Sequence, residues 1–255
     1  MLMLLSPAKR LNFTANCSYA GSSLPRVLAE TTVLVSVLKK YSSSQLEKLM
    51  SLSPNLAELN YQRFQDFNPR IFNEKNSKPA IYAFEGDVYR SLGVKDFSQD
   101  QVEYLQKHLL ILSGLYGYLH PLDLMQPYRL EMSTVLQVAA CKNLYQFWQN
   151  KIAEGINYNL KQQEHKLVIN LASEEYFKAV DAGKVIKPIL TVHFKERRGD
   201  RYQTVGINAK KARGLMARFI VLNGIRKCEE LKDFSMENYK FSEELSSKDQ
   251  MFFIR

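Results

Sequence analysis

Cysteine is scarce in this chain of 255 residues: Cys17, Cys141 and Cys228 are the only three, far apart and without a C-x-x-C pair. That argues against a disulfide framework or a cysteine-based zinc site and fits a reducing compartment, so a cytoplasmic protein is expected. Long apolar runs are lacking as well. The richest stretch, residues 109–119, is interrupted by Ser113, Gly114 and Gly117 and falls short of the ~18 residues a membrane helix needs, so no membrane partner is expected. The apolar start, residues 1–5, has no basic segment before it and ends at Ser6-Pro7, so it reads as a first strand rather than a signal peptide. The four histidines, His108, His120, His165 and His193, are scattered, with no H-E-x-x-H and no Glu-x-x-His pair, and no stable metal is expected. Neither G-x-x-x-x-G-K-[ST] nor G-x-G-x-x-G occurs, which argues against an ATPase or a dinucleotide enzyme, and no cofactor is expected.

Acidic residues are outnumbered, 26 Asp and Glu against 35 Lys and Arg, for a formal charge of +9. The excess is local. Between Lys184 and Arg218 stand ten Lys and Arg, opposed only by Glu196 and Asp200, so this stretch carries +8 and the remainder is close to neutral. A concentrated basic field points to an anionic partner, nucleic acid or a phosphorylated ligand. Apolar residues at 45% and charged residues at 24% are ordinary for a globular protein and exclude a disordered or low-complexity chain.

Periodicity predicts a strand over 2–5 and helices over 24–41, 44–52 and 54–67, the last opened by Ser53 as N-cap and Pro54 at the first position. A short strand over 79–84, a helical turn over 87–92 and a helix from a Ser98/Gln101 capping box to about 109 follow. Then come a strand at 110–113, an irregular stretch at 121–132, a helix at 143–162, a strand at 166–171 and a short helix capped by Ser173. Leu190, Val192 and Phe194 alternate with Thr191, His193 and Lys195, and Gly199-Asp200 marks a turn, so a hairpin returning over 201–207 is expected. A helix over 209–222 and a strand over 251–254 complete the reading, and residues 12–23 are polar and turn-rich. With no repeat, linker or composition break, residues 1–255 are expected to form a single α+β (mixed α/β) domain, a mixed sheet surrounded by helices.

Four constellations could carry function. The first is the basic hairpin plus helix, residues 184–222. On the 209–222 helix, Ala212, Leu215, Met216, Phe219 and Leu222 form an apolar stripe that leaves Lys210, Lys211, Arg213 and Arg218 outside it. Lys210 and Lys211 stand at the predicted N-terminus, where the dipole favours an anion over a cation. A solvated face serving solubility is the alternative. The second is residues 44–67, two helices split by a tight turn, the outline of a helix-hairpin-helix that holds a DNA phosphate with backbone amides. Lys48, Ser53, Asn55 and Arg63 would be its contacts. Glu47 and Glu58 offset the charge, the usual glycines are missing, and such pairs also occur as packing units.

The third is Ser6-Pro7-Ala8-Lys9, formally S-x-x-K but without S-D-N or K-T-G, so Lys9 reads better as a cation beside a pocket. The fourth comprises segments 85–89, 126–131 and 170–176, which set Asp87, Arg129, Glu131 and Glu175 amid apolar residues. Charges there must be paired, as a structural network or as the lining of a cleft. No spacing identifies a catalytic residue.

Read together, LLSPAK at 4–9, FEGDVY at 84–89, LSGLYGYLHPLDLMQPYRLEM at 112–132, LYQFW at 144–148, INLASEEYF at 169–177 and AKKARGLMARFI at 209–220 resemble the YaaA-type peroxide stress resistance proteins of bacteria. The resemblance spans nearly the whole chain in order. Arg10 and Asn12 depart from that pattern, where Thr and Asp are usual, as do Glu85, where Lys is common, and His120, where Arg is common. The resemblance implies a protein of the hydrogen peroxide response that limits oxidative damage to DNA and protein and is linked to lowering of unincorporated intracellular iron. It also implies DNA binding through a positively charged cleft and a helix-hairpin-helix, in a fold called cantaloupe. The helix-hairpin-helix carries over onto residues 46–63. No iron site is evident, so the iron effect is expected to be indirect.

The expected partner is therefore DNA, duplex, distorted or single-stranded. Lys9, Lys195, Arg197, Arg198, Arg201, Lys210, Lys211, Arg213 and Arg218 would contact phosphates, with no recognition helix to read bases. The alternative is an enzyme acting on a nucleotide, nucleobase or damaged nucleic acid in a cleft lined by Lys9, Asp87, Arg129, Glu131, Glu175 and Lys210. An iron-binding protein ranks last. Convergence of those six side chains separates the first two readings.

Overall fold

The computed structural model describes residues 1–14 and 21–255; Cys17 and the middle of the turn-rich stretch expected over 12–23 lie outside the described residues. Strand β1 (Leu2–Leu5) has all four side chains buried, as a parallel strand covered on both faces must. After β2 (Arg10–Leu11) come α1 (Leu28–Leu38), α2 (Ser43–Met50) and α3 (Pro54–Asp66). α1 begins later than predicted because Ser23 is tied into a bridge with Asp123, which keeps the chain extended towards Pro25.

The strand predicted over 79–84 is not one strand. Lys78–Pro79 (β3) and Phe84–Glu85 (β4) flank a single helical turn, α4 (Ala80–Ala83), which closes when the Phe84 N–H donates to the Ala80 carbonyl. Small Ala80 and Ala83 are fully buried with Ile81, while Tyr82 is half-buried. α5 (Asp87–Leu92) and α6 (Gln99–His108) follow, the latter with the expected Ser98/Gln101 capping box. Next are β5 (Leu109–Ser113), β6 (Gly117–Leu119), β7 (Leu124–Met125), α7 (Leu144–Gln162), β8 (Val168–Asn170) and α8 (Glu174–Phe177). β9 (Ile189–Arg198) shows the predicted in–out alternation, but β10 (Arg201–Gln203) is short because α9 (Gly206–Leu222) starts three residues earlier than expected. β11 (Lys240–Ser242) and β12 (Gln250–Ile254) end the chain.

The result is mixed α/β. The main sheet runs β11-β12-β9-β8-β1-β5-β6, with β10 beside β9. β5, β1, β8, β9 and β12 are parallel, and β6 and β11 pair antiparallel at the edges. The chain leaves β1 for β5 on one side and later enters β8 on the other, so connections diverge at the β1/β8 boundary. In open α/β sheets, ligands bind outside the carboxyl ends of the strands at such a boundary. No helix among the described residues is long and apolar enough to cross a membrane.

α9 departs from the stripe predicted for it. Ala209, Ala212, Met216, Ala217, Ile220 and Val221 are buried, whereas Leu222 is exposed. The reason is a second neighbour: α5 packs against α9 at Gly214, where a Cβ would collide with the Val88 carbonyl. Arg213 and Arg218 are consequently drawn towards other elements rather than presented to solvent.

Candidate functional site

A cavity of about 280 Å³ opens at the carboxyl ends of β1 and β8. Residues 6–10 enter it from β1 and residues 171–176 from β8; α5 supplies Asp87, Val88 and Arg90, the loop after β7 supplies residues 128–131, and α9 supplies Lys210 and Arg213. All six residues that would line a cleft, Lys9, Asp87, Arg129, Glu131, Glu175 and Lys210, line this one. Gly114 makes the approach of the 128–131 loop possible, because any Cβ there would strike the Leu130 carbonyl.

The floor is apolar, with Ala8, Val88, Leu130 and Leu171 beside Tyr128 and Tyr176. Below it, hydroxyls fasten the loops to one another. Ser6 Oγ accepts the Ser173 N–H at 2.8 Å and donates to Ser173 Oγ at 3.1 Å. Ser173 holds the N-cap position of α8 as predicted, yet its side chain makes no cap bond. The Tyr89 hydroxyl donates to the Ser6 carbonyl at 2.9 Å, and the Tyr128 hydroxyl meets Ser113 Oγ at 2.6 Å. Burial raises the pKa of Tyr89, Tyr128 and Tyr176, so these phenols stay neutral. Ser6 and Lys9 do not work as an S-x-x-K pair, since Lys9 Nζ instead meets Glu131 at 2.8 Å.

Most charges at the rim are matched. Glu131 also takes Arg129 through both Nε and Nη2, at 3.1 and 2.7 Å. Burial pushes its carboxyl up, but the bonds and charges of Lys9 and Arg129 outweigh that and hold it below the ordinary value, ionised. Arg10 pairs with Glu85 at 3.2 Å across the β2–β4 register, and Arg90 with Asp87 at 3.1 Å one helical turn away. Glu175 accepts the Ser133 N–H and hydroxyl at 3.2 and 2.9 Å. Arg213 differs: burial lowers its guanidinium pKa, and its buried Nε–H has no acceptor.

The other expected DNA contacts lie outside the cavity lining. Arg197, Arg198 and Arg201 are exposed on the β9–β10 hairpin. Glu196 is turned inward, bonded to Asn208, Tyr239 and Arg255, while Asp200 stays outside. Lys195 lies over the Phe252 ring. Because α9 begins at Gly206, Lys210 and Lys211 fall beyond its first turn rather than at its N-terminus. Arg218 donates to the Leu92 and Gly93 carbonyls, both at 3.1 Å, and meets Asp96 at 3.3 Å, so it closes the end of α5.

α2 and α3 pack as a two-helix hairpin turned through Ser51, which has positive φ. Ser53 and Asn55 are exposed at the start of α3, Ser53 making no side-chain cap bond, and Lys48 is exposed. Arg63 donates to Asn60 at 3.3 Å; burial lowers its pKa, and the charge of Arg129 lowers it further.

His120, which stands where Arg is common in the family pattern, is buried and doubly bonded. Asn159 Nδ2 donates to the Gly155 carbonyl, which turns Asn159 Oδ1 towards His120 Nε2 at 2.8 Å. Nδ1 faces the Asp123 carboxylate at 3.3 Å. Both partners present acceptor oxygens, an arrangement that favours the imidazolium, with both ring nitrogens donating. Burial lowers its pKa, but Asp123 outweighs burial and the net shift is upward. Among the described residues, no group of three or more His, Cys, Asp or Glu is placed to hold a metal ion.

Sequence reasoning missed Arg10 and Arg90 as cleft residues and the Ser6–Ser173 clasp. Arg90 carried a signal, lying three residues beyond Asp87 on a predicted turn; Arg10 and the clasp depend on strand neighbours that spacing does not show.

Comparison with known proteins matches residues 1–245 to a family model described as peroxide stress protein YaaA. A UPF0246 protein of Legionella pneumophila (strain Lens) is 45% identical over 255 residues, covering 100% of this chain and 99% of its own length. A UPF0246 protein of Francisella philomiragia is 44% identical, covering 100% of both chains, and one of Marinomonas sp. (strain MWYL1) is 45% identical, covering 97% of its own length.

Proposed function

This chain belongs to the family of peroxide stress protein YaaA, and from that premise we propose that it is a cytoplasmic DNA-binding protein of the peroxide response whose cleft receives one nucleotide unit. One observation supports the nucleotide part of this reading: Lys9, Asp87, Arg129, Glu131, Glu175 and Lys210 converge on a single cavity at the sheet's switch point, which is equally the outcome expected of the second reading, an enzyme acting on a nucleotide, nucleobase or damaged nucleic acid. A cavity of about 280 Å³ suits one nucleotide and not a duplex, so the strand itself would run outside it. Arg197, Arg198, Arg201 and Lys211, all exposed, would contact the backbone, and the exposed start of α3 would lend its amides in the manner of a helix-hairpin-helix. Such contacts position a strand without reading its sequence.

Glu131, kept ionised by Lys9 and Arg129, suits binding better than proton donation, and no residue is assigned a catalytic role. Protection of DNA and protein from oxidative damage would follow from occupancy of exposed or distorted strands. Any lowering of unincorporated iron would be indirect, since no group of three or more His, Cys, Asp or Glu among the described residues could hold a metal ion.

The test is fluorescence anisotropy with duplex, bubble and single-stranded DNA of equal length across a salt series. Tighter binding to bubble and single-stranded DNA is expected, with a duplex slope of log K against log salt near −0.9 per phosphate contact. Weak binding that ignores DNA form would overturn the reading.

A further inference from the structure

We propose that the cleft is built for a phosphate monoester dianion, the terminal phosphate of a mononucleotide or of a strand end, held by Lys210 and Arg213 of α9. The nucleotide reading above supplies the identity of the ester; the charge requirement comes from the cleft itself.

Six cations line the cleft, Lys9, Arg10, Arg90, Arg129, Lys210 and Arg213, against four carboxylates. Glu85 has Arg10, Asp87 has Arg90, and Glu131 has both Lys9 and Arg129. Glu175 is bonded by neutral donors of Ser133. Among the described residues this leaves Lys210 and Arg213 with no ion-pair partner. They stand three positions apart on one helix, so they share a face, and both line the cleft.

Arg213 is the more telling of the two. A guanidinium cannot lose its proton at physiological pH, so burial cannot be relieved by neutralisation. Removing such a charge from water without a partner is unfavourable, and a buried donor with no acceptor marks a partner still to come. A planar guanidinium fork beside an ammonium matches a phosphoryl group, which offers three acceptor oxygens. Two unmatched positive charges also select among phosphates. A backbone phosphodiester carries one negative charge, whereas a terminal monoester, with a second pKa of about 6, carries close to two at neutral pH. The apolar floor by Leu130, Tyr128 and Tyr176 is then free to take the sugar or base.

The experiment uses the full chain and reads both affinity and thermal midpoint. Titration with inorganic phosphate, dAMP and deoxyadenosine is expected to raise the midpoint for the first two and not the third. Arg213→Met should weaken dAMP binding about tenfold or more while leaving the ligand-free midpoint unchanged or higher, because it removes a half-buried cation whose Nε–H has no acceptor. A lower ligand-free midpoint with dAMP affinity retained would make Arg213 a structural residue and overturn the proposal. Should that variant not fold, Lys210→Gln serves, with a severalfold weakening of dAMP affinity expected and unchanged affinity counting against the proposal.

Single strands with a terminal phosphate, at either end, are then compared with strands ending in hydroxyls. A preference of about tenfold for the phosphorylated end is expected. Equal affinity would overturn the dianion assignment and leave DNA binding standing. Binding of dAMP with no binding to any strand would overturn the DNA reading, identify the mononucleotide as the source of the phosphate and leave the site standing.

Discussion

Gly214 of α9 lies directly on the Val88 carbonyl of α5, with no space for a Cβ between them. This close approach sets the distance between the helix bearing Asp87 and Arg90 and the helix bearing Lys210 and Arg213, and so sets the width of the cleft.

Gly214→Ala should therefore widen the cleft and destabilise the fold. Overpacking of this kind costs about 1–3 kcal/mol, only partly offset by the ~1 kcal/mol that alanine gains over glycine inside a helix. Urea denaturation checks the first effect and dAMP titration the second. A variant as stable as the parent would mean that the two helices are not locked at this point.

Glu131→Gln removes the charge shared by Lys9 and Arg129 and should cost about 1–2 kcal/mol. Because the folded carboxyl is held below its ordinary 4.5, its contribution is complete above that value and lost as pH falls beneath it. The urea midpoint of the parent should drop below pH 4.5 more steeply than that of the variant. Parallel curves would show that Glu131 is not stabilised by its partners.

The imidazolium of His120 has the opposite sign. Its folded pKa lies above 6.5, so its stabilisation is complete below 6.5 and is lost as pH rises through the folded value. Asp123 and Asn159 face the ring, with Arg26 near enough to oppose its charge. His108, lowered to about 4 by burial, acts at acid pH instead, as does His165 in direction. Stability measured from pH 5 to 9 should therefore decline on the alkaline side in the parent and not in His120→Gln. An unchanged alkaline slope in the variant would assign the decline elsewhere.

Replacing Arg197, Arg198 and Arg201 together by Ala should weaken DNA binding at every sequence and make the duplex salt slope shallower by up to about 0.9 for each phosphate no longer neutralised. Binding of dAMP should stay as it is, since none of the three lines the cleft. A matching fall in dAMP affinity would mean that hairpin and cleft form one site.

Local chemistry is legible in the chain where the cause is local. The Ser98/Gln101 box, Ser53-Pro54 before α3 and the alternation of β9 are dictated by neighbours a few positions away, and the structure bears each of them out. Residues 79–84 are ambiguous because two alanines in an apolar run suit either a strand or a buried turn, and only the surrounding core decides. Asp87, Arg129, Glu131 and Glu175 can be named because charge in apolar context demands a partner, and Lys9 and Lys210 come from the S-x-x-K segment and the basic helix, but most of their partners cannot be named. Arg10 reaches Glu85 through strand pairing, and Arg213 is half-buried, with its Nε fully so, because α5 covers a second side of α9. Arg218 reads as a surface cation for a related reason, since its acceptors are backbone carbonyls that composition does not reveal.

The clasp between Ser6 and Ser173 bears on when the site comes into being. β1 leaves the ribosome before either neighbour, so Leu5 must wait for Ile111, and Leu4 for Asn170, before its backbone is paired on both sides. Each wall of the cleft belongs to a different stretch of synthesis, and the last, Lys210 with Arg213, arrives after all the others. Pairings of such long sequence separation form late in folding. A nascent or truncated chain ending before α9 lacks the wall that carries Lys210 and Arg213, so ligand capture itself reports that synthesis has passed α9.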